Sequence, residues 1–319
     1  IAGGFGWCMF DYNTHQDFGS GDLICYHGVL DMFRNPKLAA AVYASQGTRQ
    51  NILEISSNMS IGEYPSGNIG TVYAFTNADC VRLYKNDQFV KAFYPDRKHF
   101  PHMPHPPVAI DDFIGELMEK GEGYDTKTAA AVTEVLFAVA KFGQNNLPFK
   151  YKIKMMKVIM RGRLKLEDGL RLYYKYVGNW GGKVTSYRFE AIRNGAVVKT
   201  VIKEPAEQLV LEAKVSSHTL YDKGTCDAAA VRLRMLDQNG NLLSYYQEPL
   251  RLSTEGPLRL LGPSVISLKG GMGGVYVRTT GTEGTGSLTI EGEQIQPKTL
   301  QFEVITTGPN DSGLCKIKK

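Results

Sequence analysis

The chain has 319 residues, 43% of them apolar and 22% charged, the balance of a globular protein long enough for two or three domains. Its 37 Lys and Arg against 32 Asp and Glu leave a formal charge of +5, and the seven basic residues from Lys150 to Lys165 account for more than all of it. So small and local an excess does not by itself imply a nucleic-acid partner, and no apolar run reaches the roughly 18 residues that cross a bilayer.

Ile1 to Phe10 read as a strand buried on both faces, because apolar residues occupy consecutive positions. Trp7, Asp11, Asn13 and His15 gather at its C-terminal end, the end at which α/β barrels carry their chemistry. Such a strand cannot bury itself alone, so the chain is expected to be the C-terminal piece of a larger enzyme. A loop rich in Gly, Asp and His follows. Asn35 then Pro36 form a helix start, and a helix is predicted over Leu38 to Ser45.

From Asn51 the pattern changes to short strands at Ile52 to Ile55, Thr71 to Thr76, Val81 to Tyr84 and Phe89 to Phe93. Asn58, Pro65-Ser66-Gly67-Asn68, Asn77 and Asn86-Asp87 punctuate them, which indicates a β-sandwich. Residues 94 to 108 hold five prolines with His99, His102 and His105 and read as an irregular linker. Asp111 is expected to cap a helix over Asp112 to Glu119, and Thr126 one running to Phe142 with Val132, Val135, Leu136 and Val139 on one face. A third helix is predicted near Lys152 to Arg161, with Ile153, Met156 and Met160 as its stripe, and a fourth over Glu167 to Tyr176. Ser186 to Ala191 and Val197 to Ile202, joined through Asn194-Gly195, return as a hairpin.

After Pro205 a second sandwich is expected. Leu209 to Val215 and Ala229 to Met235 alternate, Asn239-Gly240 signals a hairpin, and Val275 to Arg278, Ser287 to Ile290 and Leu300 to Val304 complete it. The domain boundaries are 1–50, 51–204 with a helical insertion at about 108–178, 205–307, and a tail at 308–319.

The stretch from Gly3 to Gln46 carries a family resemblance. The strand end Trp7 to Asp11, the Asp17-Phe18-Gly19 loop, the Tyr26-His27-Gly28 turn and Arg34-Asn35-Pro36-Lys37 before a helix closely resemble the end of the catalytic barrel of glycoside hydrolase family two, in its β-galactosidase branch. Leu53-Glu54-Ile55 and Val72 to Asn77 are similar to the sandwich that follows that barrel. The resemblance implies a mainly β fold: Ig-like β-sandwiches with a helical insertion, preceded by the last βα unit of a (β/α)8 barrel.

It also implies a retaining glycosidase acting on a β-galactoside, whose carboxylate pair stands on earlier barrel strands. The family's acid/base lies in an Asn-Glu pair, and this chain has no such dipeptide, so no catalytic residue is assigned here. Trp7 is then a wall of the sugar pocket, since an aromatic ring packs on the apolar face of a sugar. Asp11 is a candidate for a sugar hydroxyl. His27 matches a position where some members have Asn near the sugar and a cation. Asn13, His15 and Asp22 complete the candidate substrate-binding set. A core packing role for Trp7 and loop ordering for the others stay open.

Glu63 sits in a turn-rich loop and is not taken as a nucleophile. The histidines at 99, 102 and 105 lack the spacing of a metal site, the Gly270 to Gly274 run lacks a strand-to-helix context, and no cofactor or metal is implied. Trp180 with Tyr187 reads as packing before a sugar platform. The five cysteines, Cys8, Cys25, Cys80, Cys226 and Cys315, are odd in number and widely spaced, so reduced thiols and a cytoplasmic location are expected, with export left open. Expected partners are a carbohydrate in the intact enzyme and the missing N-terminal part of the same polypeptide. Neither nucleic acid nor membrane is expected, and self-association is left open. The alternative, from another class, is a carbohydrate-binding or protein-interaction module.

Overall fold

The computed structural model describes residues 3–15, 21–60, 68–160, 166–178 and 184–306. The chain divides into two compact units, one of Ala40–Pro205 and one formed by Ile1–Ala39 together with Ala206–Lys319.

The N-terminal segment departs from its expected strand. Residues 3–7 are exposed and outside any strand, and the ladder is limited to a parallel bridge from Phe10 to Leu30. Backbone N–H groups of Val29, Leu30 and Asp11 donate to Cys8, Met9 and Leu30 carbonyls at 3.1, 2.9 and 3.0 Å. A buried parallel strand needs a neighbour on each side; here the described residues supply one short neighbour, and pairing stops with it. Then β1 (Tyr12–Asn13) pairs with β2 (Ile24–Cys25), and α1 (Leu38–Ala44) follows Pro36, where the helix was predicted.

In the unit 40–205, β3 (Leu53–Ile55), β4 (Val72–Thr76), β5 (Cys80–Lys85) and β6 (Gln88–Phe93) fall on the predicted runs. β7 (Val108–Ile110) was missed behind the prolines; it pairs with β4. Four α-helices follow: α2 (Leu117–Glu122), α3 (Thr126–Phe142), α4 (Phe149–Met160) and α5 (Leu166–Tyr173), the last running into a π-helical turn to Gly178. β8 (Tyr187–Arg193) and β9 (Ala196–Lys203) form the expected hairpin. The strands make two sheets, β3-β4-β7 and β6-β5-β8-β9. Leu53, Ala74, Val81, Leu83, Val108 and Phe189 fill the space between them, and Met118, Leu136, Val158 and Leu172 bring the helices onto the same core.

Two caps differ from expectation. α3 is capped by Asp125, not Thr126: the Asp125 backbone is extended and its carboxylate accepts the Thr128 N–H at 2.9 Å. Asp112 does not continue a helix from Asp111. Its carboxylate accepts from Ile114 and Gly115 N–H groups at 3.0 and 2.8 Å, a local turn that delays α2 to Leu117.

The sandwich of the other unit comprises β10 (Val210–Val215), β11 (Thr219–Tyr221), β12 (Ala228–Leu236), β13 (Pro249–Glu255), β14 (Leu258–Leu261), β15 (Val265–Ser267), β16 (Met272–Thr279), β17 (Gly284–Gly292) and β18 (Ile295–Ile305). One sheet runs β10-β12-β16-β14 and the other β11-β18-β17-β13-β15, with β11 parallel to β18. Val231, Leu233, Leu250, Val277, Ile290 and Phe302 meet between them. The turn at Asn239-Gly240 forms around Asp237, whose carboxylate accepts from the Asn239 and Asn241 N–H groups at 2.9 and 2.8 Å. The expected hairpin partner of β12 does not extend beyond a Leu236–Leu242 bridge, because the Met235 N–H is already donated to Gly271 O at 2.9 Å.

Candidate functional site

The site is built on the segment from Trp7 to Lys37. Asp11 ends the extended stretch and is 5% exposed. Its Oδ1 accepts from the Gly28 N–H and from Lys37 Nζ, both at 2.8 Å, and Lys37 Nζ also donates to the Tyr26 carbonyl at 3.0 Å. One carboxylate therefore fixes both sides of the Tyr26-His27-Gly28 turn. Gly28 is required there, since a Cβ would lie 2.2–2.4 Å from backbone atoms of Phe10, Asp11 and Leu30. The Arg34 guanidinium lies 3.7 Å over the Phe10 ring and covers the strand end.

A second network holds the loop to the sandwich of the same unit. Lys269 Nζ and the Tyr26 hydroxyl both donate to Asp22 Oδ2, and Lys269 Nζ donates to the Tyr26 hydroxyl at 2.7 Å. Burial, reinforced by Asp22, pushes the Tyr26 phenol up. Burial would lower the Lys269 ammonium, but its bonds to Asp22 and Tyr26 raise it. Asn35 Nδ2 donates to Gly273 O at 2.9 Å, and Phe33 packs over Gly274, where a Cβ would meet the ring at 2.5 Å. Asp11, Tyr26, Phe33, Lys37, Lys269 and Tyr276 line a cavity of about 470 Å³ between loop and sandwich, within the size range of small-ligand sites.

The predicted residues divide into two groups. Asp11 and the His27 turn come together, with His27 exposed beside Gly28. Trp7 presents its ring to solvent at 78% exposure, with Nε1 3.4 Å from the Tyr12 hydroxyl; the Trp7–Cys8 peptide is cis. Asn13 on β1 faces Ile24 across the ladder and, like His15, is exposed. Asp22 is turned toward Lys269. Tyr26, Lys37 and Lys269 were not singled out. Lys37 lies inside a quoted motif and Tyr26 adjoins His27, whereas Lys269 is 247 residues from Asp22 and left no local trace. The Asp17-Phe18-Gly19 loop, Glu63, Trp180 and Cys315 lie outside the described residues. Among the described residues no group of His, Cys, Asp and Glu could hold a metal ion; His99 pairs with Asp96 at 2.7 Å.

No protein-family model matches the chain. A β-galactosidase of Thermoanaerobacterium thermosulfurigenes is 33% identical over 275 residues, which is 85% of this chain and 30% of that protein. A β-galactosidase of Rhizobium radiobacter is 38% identical over 115 residues, 35% of this chain and 80% of that sequence. The chain thus spans about a third of the length of the first of these relatives. The crystal structure of a glycosyl hydrolase family 2 member from Bacteroides cellulosilyticus superposes with a TM-score of 0.56 at 10% identity, over 94% of this chain and 36% of that one, a likeness of fold. No described helix is long and apolar enough to cross a membrane. Together with the linked motifs from Trp7 to Lys37, these likenesses place the chain in glycoside hydrolase family 2, among its β-galactosidase-like members.

Proposed function

We propose that the chain is the C-terminal part of a retaining β-galactosidase and supplies one wall of its sugar pocket. The observation that carries this reading is Trp7, an indole left 78% exposed at the end of a segment whose backbone is fixed by buried bonds. An apolar ring open to solvent suits the C–H face of a hexose. His27, Asn13 and His15 are the polar side chains assigned to its hydroxyls. Asp11 acts through the turn it holds, and Asp22 through the loop it ties to Lys269. The carboxylate pair, about 5 Å apart in a retaining enzyme, belongs to the upstream barrel. The free thiols of Cys8, Cys25, Cys80 and Cys226 support a reducing, cytoplasmic setting.

A mechanism-based 2-deoxy-2-fluoro-galactoside tests the division of labour. With the polypeptide extended upstream through its own reading frame, the galactosyl adduct is expected on a glutamate upstream of Ile1, and the 319-residue chain alone is expected to show no turnover of an aryl β-galactoside. An adduct on this chain, or turnover by it alone, overturns the reading. Saturable galactoside binding by the chain alone, insensitive to Trp7→Ala, would favour a carbohydrate-binding module.

A further inference from the structure

The apolar stripe predicted for α4 faces outward. Successive residues of an α-helix turn by about 100°. Val158 is buried in the core, and Met155 and Ile159 line the groove toward α3 and α5. Phe149, Ile153, Met156 and Met160 fall within about 60° of one another on the outer face. They are 77, 38, 57 and 76% exposed. Their spacing of four, three and four is the a/d repeat of a coiled coil. With Ile153 and Met160 at a, and Phe149 and Met156 at d, the flanking e and g positions include Lys150, Lys152 and Lys157. Lys154 falls at b and is engaged by Glu134 of α3. The helix itself carries no acid.

We propose that this seam is a docking site for one acidic amphipathic helix of a partner protein. Three observations select that occupant. An apolar arc of about 60° is the narrow seam of helix-to-helix packing, whereas a helix lying in a membrane surface presents a wider apolar face. The flanking lysines oppose a second copy of α4, since two such seams would set lysine against lysine. The same lysines match glutamates at the partner's e and g positions, which fix partner choice in coiled coils. The helix is ~18 Å long, so the partner needs only about two heptads.

The test uses the full chain and a labelled synthetic peptide of three heptads, with Leu at a and d and Glu at e and g. Fluorescence anisotropy is expected to show saturable binding that weakens with salt. Met156→Glu and the double variant Lys150→Glu/Lys157→Glu are each expected to weaken it about tenfold or more, and Met156→Leu to retain it. These side chains are exposed, so circular dichroism and Tm should stay at the parent values, and Phe149→Ser provides a second seam variant should one misfold. A peptide with Lys at e and g is expected not to bind. No binding of the acidic peptide, binding indifferent to the seam variants, or equal binding of the lysine peptide overturns the proposal. So does seam-dependent binding to phosphatidylglycerol vesicles, or a dimer in sedimentation that Met156→Glu dissociates.

Discussion

Asp11 and Lys37 meet at 2.8 Å across 26 residues of chain, with the Asp11 side chain 3% exposed and that of Lys37 24%. The pair also closes the turn at Gly28, so its loss removes one ionic bond and one backbone bond together. Asp11→Ala is expected to cost about 2 kcal/mol in urea unfolding, on the scale of hydrogen bonds to charged groups. Lys37 can return to water, which keeps the cost below that of a fully buried pair. Amide exchange locates the effect: Gly28 N–H should lose protection while β12 and β16 keep theirs. Unchanged protection at Gly28 would show that the turn stands without the carboxylate.

Trp7→Ala separates stability from function. The ring is largely in solvent, so the Tm of the 319-residue chain should move by no more than about 0.5 kcal/mol implies. In the upstream-extended enzyme the same change should lower kcat/KM by about 2–4 kcal/mol, the scale of losing an aromatic anchor. A large Tm drop with near-normal kcat/KM would make Trp7 a packing residue.

Glu122 ties the helical insertion together. Burial alone would raise its pKa, but bonds from Arg171 at 2.9 Å, Lys175 at 2.6 Å and the Tyr176 hydroxyl at 2.9 Å hold it down to about 2, from an ordinary 4.5. The folded value lies below the unfolded one, so the stabilisation is complete above pH ~4.5 and is lost as pH falls toward about 2. Because Arg171 and Lys175 are half exposed, about 1–2 kcal/mol is expected. Glu122→Gln should flatten this part of the pH–stability curve, measured by denaturant unfolding. An unchanged acid limb would remove Glu122 from the account.

Lys85 has the opposite sign. It lies 7% exposed, opposite Tyr187 in the β5–β8 ladder, and burial pushes its ammonium down to about 8 from 10.5. Below pH ~8 folding buries a charge; between about 8 and 10.5 the unfolded chain binds more protons, so stability should rise with pH. Lys85→Met is expected to stabilise the unit by about 1–3 kcal/mol at pH 7 and to abolish that rise. Destabilisation by Met would mean that the ammonium is well satisfied in its pocket.

What could be read from the sequence follows the range of the interactions. The hairpin through Asn194-Gly195 and the helix after Pro36 rest on neighbours a few residues away, and both were legible. β13 carries the same period-two alternation as β10, with Leu250 and Leu252 inward and Arg251 and Ser253 between them, and is closed by Gly256-Pro257, so it was legible in principle and was passed over. The α4 stripe was seen, but periodicity identifies an apolar face without saying which way it points. Within the candidate site, the closeness of Asp11 to the Tyr26-His27-Gly28 turn lies within one run of linked motifs. Lys269 was not legible, since nothing around it marks it as the partner of a residue near the opposite end of the chain.

The long reach of those bonds has a consequence for synthesis. Asn35 must find Gly273, 238 residues later, and Asp22 must find Lys269. At roughly 5–20 residues per second, the ribosome leaves the Trp7–Lys37 segment without its counterpart for about 12–50 s. Throughout that interval the nascent chain carries Phe33 and Tyr26 without the Gly274 and Lys269 contacts that later hold them. A chaperone that shields this segment during that interval is expected to raise the yield of correctly matured protein.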